Sequence, residues 1–125
     1  MVTSLEQARY INLATFRKSG VAVETPVWFA EVDDKYYVFS AGNAGKVKRL
    51  RNSSRARIAP CDVRGKVEGP WLEARAILVQ DTTEINRAHS ALGQKYGWQM
   101  RLADFMSGIS GRKKQRAYIA IAIVA

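Results

Sequence analysis

Short strand-like runs separated by tight turns constrain the fold of this chain more than any other feature. Runs rich in β-branched, aromatic and aliphatic residues cover positions 10–16, 21–32, 35–40, 54–62, 72–80 and 115–125. The turn sequences Lys18-Ser19-Gly20 and Asp33-Asp34 join the first three runs and predict an antiparallel meander. Small antiparallel sheets close into barrels because closure removes their unpaired edges. The pattern therefore predicts a mainly β fold, a small antiparallel barrel of about six strands.

Two helices are predicted between these strands. The first is short and basic and follows the third run, and Val47 and Leu50 on it are three residues apart and face the core. The second begins at the start signal in residues 81–84 and ends at Gly97, with a helical apolar stripe between them. We interpret this second helix as structural, and the lone histidine on it, His89, as a packing residue.

Composition limits the size and the location of the protein. A chain of 125 residues, 47% of them hydrophobic, is predicted to be one domain, 1–125, with its own core. Large ligands would then lie in a surface groove or at a subunit interface. No secretion signal and no apolar run of roughly 20 residues is evident, so we expect a cytoplasmic protein without a membrane partner. One cysteine and one histidine do not supply a Cys/His zinc site, so no metal is predicted.

Charge points to an anionic ligand. Twenty lysines and arginines against eleven acidic residues give a net charge of +9. Six of the cations lie between Lys46 and Arg57, with no acidic residue among them. A helix start with exposed N–H groups and a nearby lysine attracts phosphate, so Lys46 carries the prediction of an anion site. The alternative interpretation is a solvated basic helix that lies on a sheet.

A proline and two tryptophans are further candidates for contact with a ligand. Pro26 cannot donate to a β-ladder, so it indicates an edge strand or a segment, 25–28, that lines a ligand. Trp71 follows Gly69-Pro70 and is either a core residue or a wall for a planar ring. Trp98 begins an apolar segment, 98–106, that covers a core edge or takes part in a subunit contact.

Four segments are distinctive when taken together: residues 10–17 (YINLATFR), 25–30 (TPVWFA), 45–52 (GKVKRLRN) and 59–66 (APCDVRGK). They resemble the pyridoxamine-phosphate-oxidase-like split-barrel family, and most of all its coenzyme-F420-dependent branch. The resemblance covers nearly all of residues 8–80. It implies a six-stranded antiparallel split β-barrel and a homodimer, with two interface sites that hold FMN or the deazaflavin coenzyme F420. It also implies an oxidoreductase that transfers hydride to or from a small-molecule substrate, in which the cofactor carries the chemistry.

The resemblance further implies which residues contact the cofactor. Lys46 matches the phosphate-binding lysine of the family, and Arg49 is its neighbour. Four consecutive residues would run along the tricyclic ring: Thr25, Pro26, Val27 and Trp28. Three residues would lie near the ribityl chain and phosphate: Phe39, Ser40 and Ala41. Two arginines would extend the basic groove, Arg55 and Arg57. Beyond the resemblance, we expect an aromatic residue of the partner chain, Trp71 or Trp98, to shape the substrate pocket.

Two departures separate the chain from the family's namesake oxidase. That enzyme has an Arg-Lys pair where this chain has Gly45-Lys46, and it has a basic C-terminal segment after the last strand. We therefore expect an activity other than the oxidation of pyridoxamine phosphate. The surplus of cations favours coenzyme F420, which has an anionic polyglutamate tail, over FMN. No general acid–base pair or nucleophile is evident, and the catalytic residues and the substrate stay unassigned.

Two other classes of function are compatible with parts of the sequence. A nucleic-acid-binding β-barrel module would use the positive charge and the aromatic residues. Its disadvantage is that the cations gather at a helix start and that no RNA-recognition motif is present. A non-catalytic cofactor carrier or a heme-binding split barrel is the other alternative, and the single histidine on a structural helix speaks against heme.

Overall fold

The computed structural model describes residues 5, 8–42, 44–99, 102 and 116–124. These residues include seven strands and two helices, in the order β1 (Tyr10–Phe16), β2 (Ala22–Val27), β3 (Ala30–Val32), β4 (Lys35–Ala41), α1 (Gly45–Asn52), β5 (Arg55–Cys61), β6 (Leu72–Val79), α2 (Thr82–Tyr96) and β7 (Arg116–Ile123). Neighbouring strands pair antiparallel, and their order in the sheet is β2-β1-β5-β6-β7-β4-β3. The predicted mainly β class is confirmed.

The chain itself closes this sheet into a barrel. β2 and β3 lie at opposite ends of the strand order, although only Trp28 and Phe29 separate them in sequence. Residues 22–32 therefore pair with β1 through their first part and with β4 through their second part. The single strand that we predicted over 21–32 is wrong at this point, and its division accounts for seven strands instead of six. The split barrel itself is confirmed, and Pro26 lies in β2 at the end of the strand order.

Tyr96, the last residue of α2, supports the backbone at this break. The N–H of Phe29 donates to the Tyr96 hydroxyl at 2.9 Å. The same hydroxyl lies 2.6 Å from the carbonyl oxygen of Arg9 and 3.0 Å from that of Phe29. It has one proton, which it donates to one or the other of these two oxygens. A buried side chain thus replaces the partners that a neighbouring strand would supply. Burial raises the pKa of Tyr96 to about 12, which keeps the donor proton in place.

The helix α2 has the boundaries that the sequence predicts. The Asp81 carboxylate accepts from the N–H of Glu84 at 2.9 Å and caps the first turn. Gly97 ends the helix at φ +59, where its N–H donates to the Gly93 carbonyl oxygen at 2.8 Å. The buried face of the helix packs on the outside of the barrel. No described helix is long and apolar enough to cross a bilayer.

The strand β7 lies between β6 and β4, in the middle of the sheet. Ile119 and Ile121 fill the barrel interior, and Tyr118 and Ala120 face α2 on the other side. Full burial of one such aliphatic side chain stabilises the fold by about 1.5–3 kcal/mol. The prediction of a central last strand, buried on both faces, is confirmed for residues 118–121.

Candidate functional site

The basic helix α1 is anchored on the barrel by its two buried residues, as predicted. Val47 is fully buried and Leu50 nearly so. The residue before the helix is Ala44, which offers no side-chain cap, and the first turn contains no acidic residue. The first N–H groups of a helix lack partners within it and give that end a partial positive charge. This helix start is therefore electrostatically open to an anion.

Arg49 and Lys46 form a cluster of like charges at this helix. The Nε of Arg49 donates to the hydroxyl of Thr15 on β1 at 2.7 Å. A Cβ added at Gly45 would lie 2.9 Å from a terminal nitrogen of Arg49. The guanidinium of Arg49 thus occupies the space that a side chain at position 45 would need.

The electrostatics of this cluster favour a bound anion. Burial lowers the pKa of the half-buried Lys46, and the charge of Arg49 lowers it further. Burial also lowers the pKa of Arg49, with a smaller effect from Arg17. Neither Lys46 nor Arg49 forms an ion pair with a carboxylate of the described residues. Cations in such surroundings lack compensation, and a phosphate would supply it.

A basic cleft of about 490 Å³ continues from this cluster along α1. It runs between the turn after β1 and the second half of the helix. Five cations and no acidic residue are among its described lining residues, which are Phe16, Arg17, Lys18, Gly20, Lys48, Arg49, Asn52, Ser53 and Arg55. The guanidinium of Arg55 lies 4.1 Å from the centre of the Phe16 ring, which fixes this arginine on the cleft wall.

An aromatic group lies where β2 gives way to β3. Trp28 stacks on Tyr96 with ring centres 4.6 Å apart and an interplanar angle of 12°. The Phe39 ring meets Trp28 edge-on at 6.1 Å. The guanidinium of Arg116 lies 4.5 Å from the centre of the Phe39 ring, because Arg116 pairs with Ala41 across the β4–β7 ladder. Ser40, between Phe39 and Ala41, is buried.

The other predicted ring contacts lie along the edge strand β2. Thr25, Pro26 and Val27 pair with β1, and Pro26 lies opposite Asn12. The amide nitrogen of Asn12 donates to the Gly65 carbonyl oxygen at 2.9 Å, but its buried Oδ1 has no hydrogen-bond partner among the described residues. Buried acceptors in proteins nearly always have a hydrogen-bond donor. The Oδ1 of Asn12 is therefore a position, next to residues 25–28, where a ligand could supply one.

Two of the predicted residues lie in a separate groove. Arg57 donates to the Glu73 carboxylate at 2.6 Å, so its charge is compensated within the chain. Together with Trp71 and Glu24, this pair lines a groove of about 250 Å³ on the outer face of the sheet. Trp98 follows α2 and is 70% exposed. The roles that we predicted for Arg57, Trp71 and Trp98 stay predictions.

The structure therefore groups the predicted residues in two pairs, Lys46 with Arg49 and Trp28 with Phe39. Sequence reasoning missed four residues beside them, which are Asn12, Arg17, Tyr96 and Arg116. The only signal for Arg17 was its position at the end of a strand next to a turn. Arg116 is brought in by strand pairing, which no local pattern reveals. No group of potential metal ligands occurs in the described part of the chain.

Known proteins share this architecture. The profile of the pyridoxamine 5'-phosphate oxidase family matches residues 1–125. A conserved hypothetical protein from Mycobacterium tuberculosis aligns with a TM-score of 0.71 and 19% identity, over 100% of this chain and 83% of that one. HutZ, a heme storage protein from Vibrio cholerae, aligns with a TM-score of 0.72 and 14% identity, over 96% and 84%. An FAD-binding protein from Mesorhizobium loti aligns with a TM-score of 0.62 and 18% identity, over 94% and 80%. Comparison with curated proteins found no match.

Proposed function

The chain belongs to the pyridoxamine 5'-phosphate oxidase family, whose profile spans all of residues 1–125, and from this premise we propose that it is an oxidoreductase. It transfers hydride by means of a flavin-type cofactor, coenzyme F420 or FMN. The family includes flavin-binding oxidoreductases, and a structural neighbour from Mesorhizobium loti is an FAD-binding protein. The fold alone does not select a function, so the proposal depends on the residues of the site.

The single observation that carries the proposal is the uncompensated pair Lys46 and Arg49 at the start of α1. Both cations have a lowered pKa, first because of burial and then because of a neighbouring cation. A phosphate group bound by Lys46, Arg49 and the helix N–H groups would remove this penalty. Arg49, whose guanidinium fills the space beside Gly45, supplies the second positive charge that the family's namesake oxidase has at that position.

The residues around the β2–β3 break fit a planar ring. Thr25, Pro26 and Val27 form a partly buried edge strand, and the uncompensated Oδ1 of Asn12 lies opposite Pro26. A ring that carries N–H groups would offer this oxygen a donor. Phe39 and Trp28 would border the ring, and Ser40 would lie between the ring and the phosphate site. The cofactor supplies the hydride chemistry when bound, and this chain binds it, orients it and excludes water.

The cofactor is proposed to lie between two copies of the chain. Trp71 and Trp98 are both exposed, at 37% and 70%, and lie outside the aromatic group at the strand break. A single domain of this size has limited depth, which favours a groove or a subunit interface as the site of a three-ring cofactor. The tryptophans of one protomer would cover the ring that is held by the other, and a homodimer completes each site.

Coenzyme F420 is favoured over FMN because of the basic cleft. Five cations line it and begin at Arg49, next to the proposed phosphate site. The polyglutamate tail of F420 would enter this cleft, whereas FMN ends at its phosphate. Binding should therefore strengthen with each added glutamate for F420 and should depend little on Arg55 for FMN.

Titration with FMN, with F420 of different tail lengths and with hemin tests the proposal, with cofactor fluorescence or absorbance as the readout. Lys46→Ala should weaken FMN binding roughly ten- to a hundredfold, since a charge-assisted hydrogen bond contributes about 1.5–3 kcal/mol. The melting temperature without ligand should not fall, because Lys46 has no carboxylate partner among the described residues and its uncompensated charge does not stabilise the fold.

Arg51→Ala is the matched control for this experiment. Arg51 is exposed on the same helix, and its removal lowers the net charge by the same amount. Its FMN affinity should equal that of the wild type. If both variants lose the same FMN affinity, the effect is due to long-range charge and not to contact with Lys46. If Lys46→Ala loses no affinity, the site is refuted. Tight binding of hemin with none of FMN or F420 would refute the proposed function.

A further inference from the structure

A cavity of about 260 Å³ lies apart from the cation cluster and the basic cleft. Its lining residues are Leu5, Phe29, Glu31, Tyr36 and Lys95. Leu5 and the rings of Phe29 and Tyr36 share the wall with the carboxylate of Glu31 and the amine of Lys95, and none of the five residues was assigned a role by the sequence. The volume is below the range of drug-sized ligand sites, so an occupant would have about ten non-hydrogen atoms.

Lys95 carries the chemistry of this cavity. Its Nζ lies 3.3 Å from the centre of the Phe29 ring and 5.4 Å from that of the Tyr96 ring. No carboxylate of the described residues lies within ion-pair distance of this amine. The ring face of Phe29 therefore compensates the charge of Lys95 in place of an acid.

Burial of Lys95 favours its neutral form and outweighs the Phe29 ring and Glu31, which favour the charged form. Burial lowers the pKa of Lys95 to about 8, and the charge of Arg9 acts in the same direction while that of Glu31 opposes it. Tyr36 and Tyr96 are the other titratable groups beside it. At pH 7.5 roughly a quarter of such amines are neutral, against about one in a thousand for an ordinary lysine. The neutral amine is the nucleophilic form.

We propose that Lys95 is the nucleophile of a covalent site for a small aldehyde, which this cavity holds as an imine beside its aromatic rings. The Nζ lone pair attacks the carbonyl carbon, and a proton passes from nitrogen to the former carbonyl oxygen. The hydroxyl group of this carbinolamine takes up a proton from solvent, the C–O bond breaks, water leaves and the nitrogen lone pair forms the C=N bond of a protonated imine. A protonated imine is again a cation over the Phe29 ring, and the carboxylate of Glu31 lines the same cavity. No redox partner is needed, because the step is a condensation.

Benzaldehyde with sodium cyanoborohydride tests this proposal, since the borohydride reduces an imine to a stable secondary amine. The full-length protein is treated at pH 7.5, and peptide mapping by mass spectrometry gives the rate at each lysine. Lys95 should be benzylated on the order of ten- to a hundredfold faster than the exposed Lys35 and Lys48 of the same molecules. Equal rates at the three lysines would overturn the proposal.

Benzyl alcohol separates cavity binding from simple reactivity. It has the shape of benzaldehyde but no carbonyl group, so it should slow labelling of Lys95 and leave Lys35 unaffected. An absence of protection would overturn the assignment to this cavity. Lys95→Arg keeps a cation over Phe29 and should abolish the fast labelling, with the rates at Lys35 and Lys48 unchanged. Fast labelling at any other lysine of this variant would assign the reactivity elsewhere and refute the proposal.

Discussion

Removal of one hydroxyl group should weaken the closure of the barrel. Tyr96→Phe deletes the acceptor for the Phe29 N–H at 2.9 Å and the donor to the backbone carbonyls beside it. It keeps the aromatic ring that stacks on Trp28. The substitution therefore tests the hydrogen bonds alone.

The expected loss follows from the state of each group in the variant. The buried N–H of Phe29 would have no partner, which costs about 1–3 kcal/mol. One carbonyl would lose a hydrogen bond worth about 0.5–1.5 kcal/mol, less where water reaches it. The free energy of unfolding should fall by about 2–4 kcal/mol, a large part of the stability of an ordinary domain. The melting temperature should fall by roughly 10 °C in a chain of this size.

Urea unfolding followed by circular dichroism measures this loss, and Tyr118→Phe is the control. Tyr118 is also buried against α2, but its hydroxyl bonds to no residue that the structure describes. The control should change stability by about 1 kcal/mol or less. If Tyr96→Phe loses no more than Tyr118→Phe, the hydroxyl does not support the strand break and our account of the closure is wrong.

Alkaline unfolding gives a second readout of the same hydroxyl. Burial raises the pKa of Tyr96 to about 12, whereas the unfolded chain releases this proton near the usual tyrosine pKa of 10.0. The folded state then binds more protons, so the stabilisation is complete below pH 10 and is lost as the pH rises towards 12. Tyr37 behaves in the same way, because burial and its hydrogen bond to Glu84 raise its pKa to about 12. The free energy of unfolding should therefore fall less steeply with rising pH in Tyr96→Phe than in the wild type. Tyr37 should account for part of the decline that the variant still shows.

Three further predictions concern single residues. Gly65→Ala should lower the free energy of unfolding by roughly 1–2 kcal/mol, because Gly65 has φ +90, and denaturant melts should show a similar loss for Gly20→Ala at φ +91. Cys61 is 2% exposed and burial raises its pKa to about 11, so iodoacetamide at pH 8 should alkylate it only in urea, as mass spectrometry would show. Burial lowers the pKa of Lys95 to about 8, whereas the unfolded chain keeps this proton up to the usual lysine pKa of 10.5. The unfolded state therefore binds more protons between these values, and wild-type stability rises with pH across them. Lys95→Met should lack this gain. If the difference in urea midpoint between the two proteins is the same at pH 7 and at pH 10.5, this prediction is wrong.

Local patterns predicted the elements whose causes are local. The cap at Asp81, the stop at Gly97 and the buried positions of α1 depend on neighbours in sequence, and all three agree with the structure. The division of residues 21–32 does not depend on neighbours. The division is stabilised by Tyr96, which is 67 residues away from Phe29 in sequence. The apolar composition of residues 21–32 alone predicts one continuous strand.

The candidate site shows the same division between local and distant causes. Lys46 and Arg49 are one helical turn apart, so their proximity could be predicted, and the helix places them as expected. The compensation of Arg57 could not, because Glu73 reaches it through the register of β5 with β6. Arg17 near Arg49 likewise results from the packing of α1 against β1.

The central position of β7 bears on how this protein reaches its native state. Strands β2, β1, β5 and β6 form one paired set and β4 with β3 forms another, and β7 is the ladder that joins them. The eleven residues from Ala22 to Val32 link the same two sets on the opposite side. Before residues 116–123 are added, both sets have an open flank that can recruit the strand of another molecule. The sheet is therefore completed only after β7, which is synthesised after the other six strands, has paired with β6 and β4. A nascent chain that stalls before β7 would be prone to aggregate.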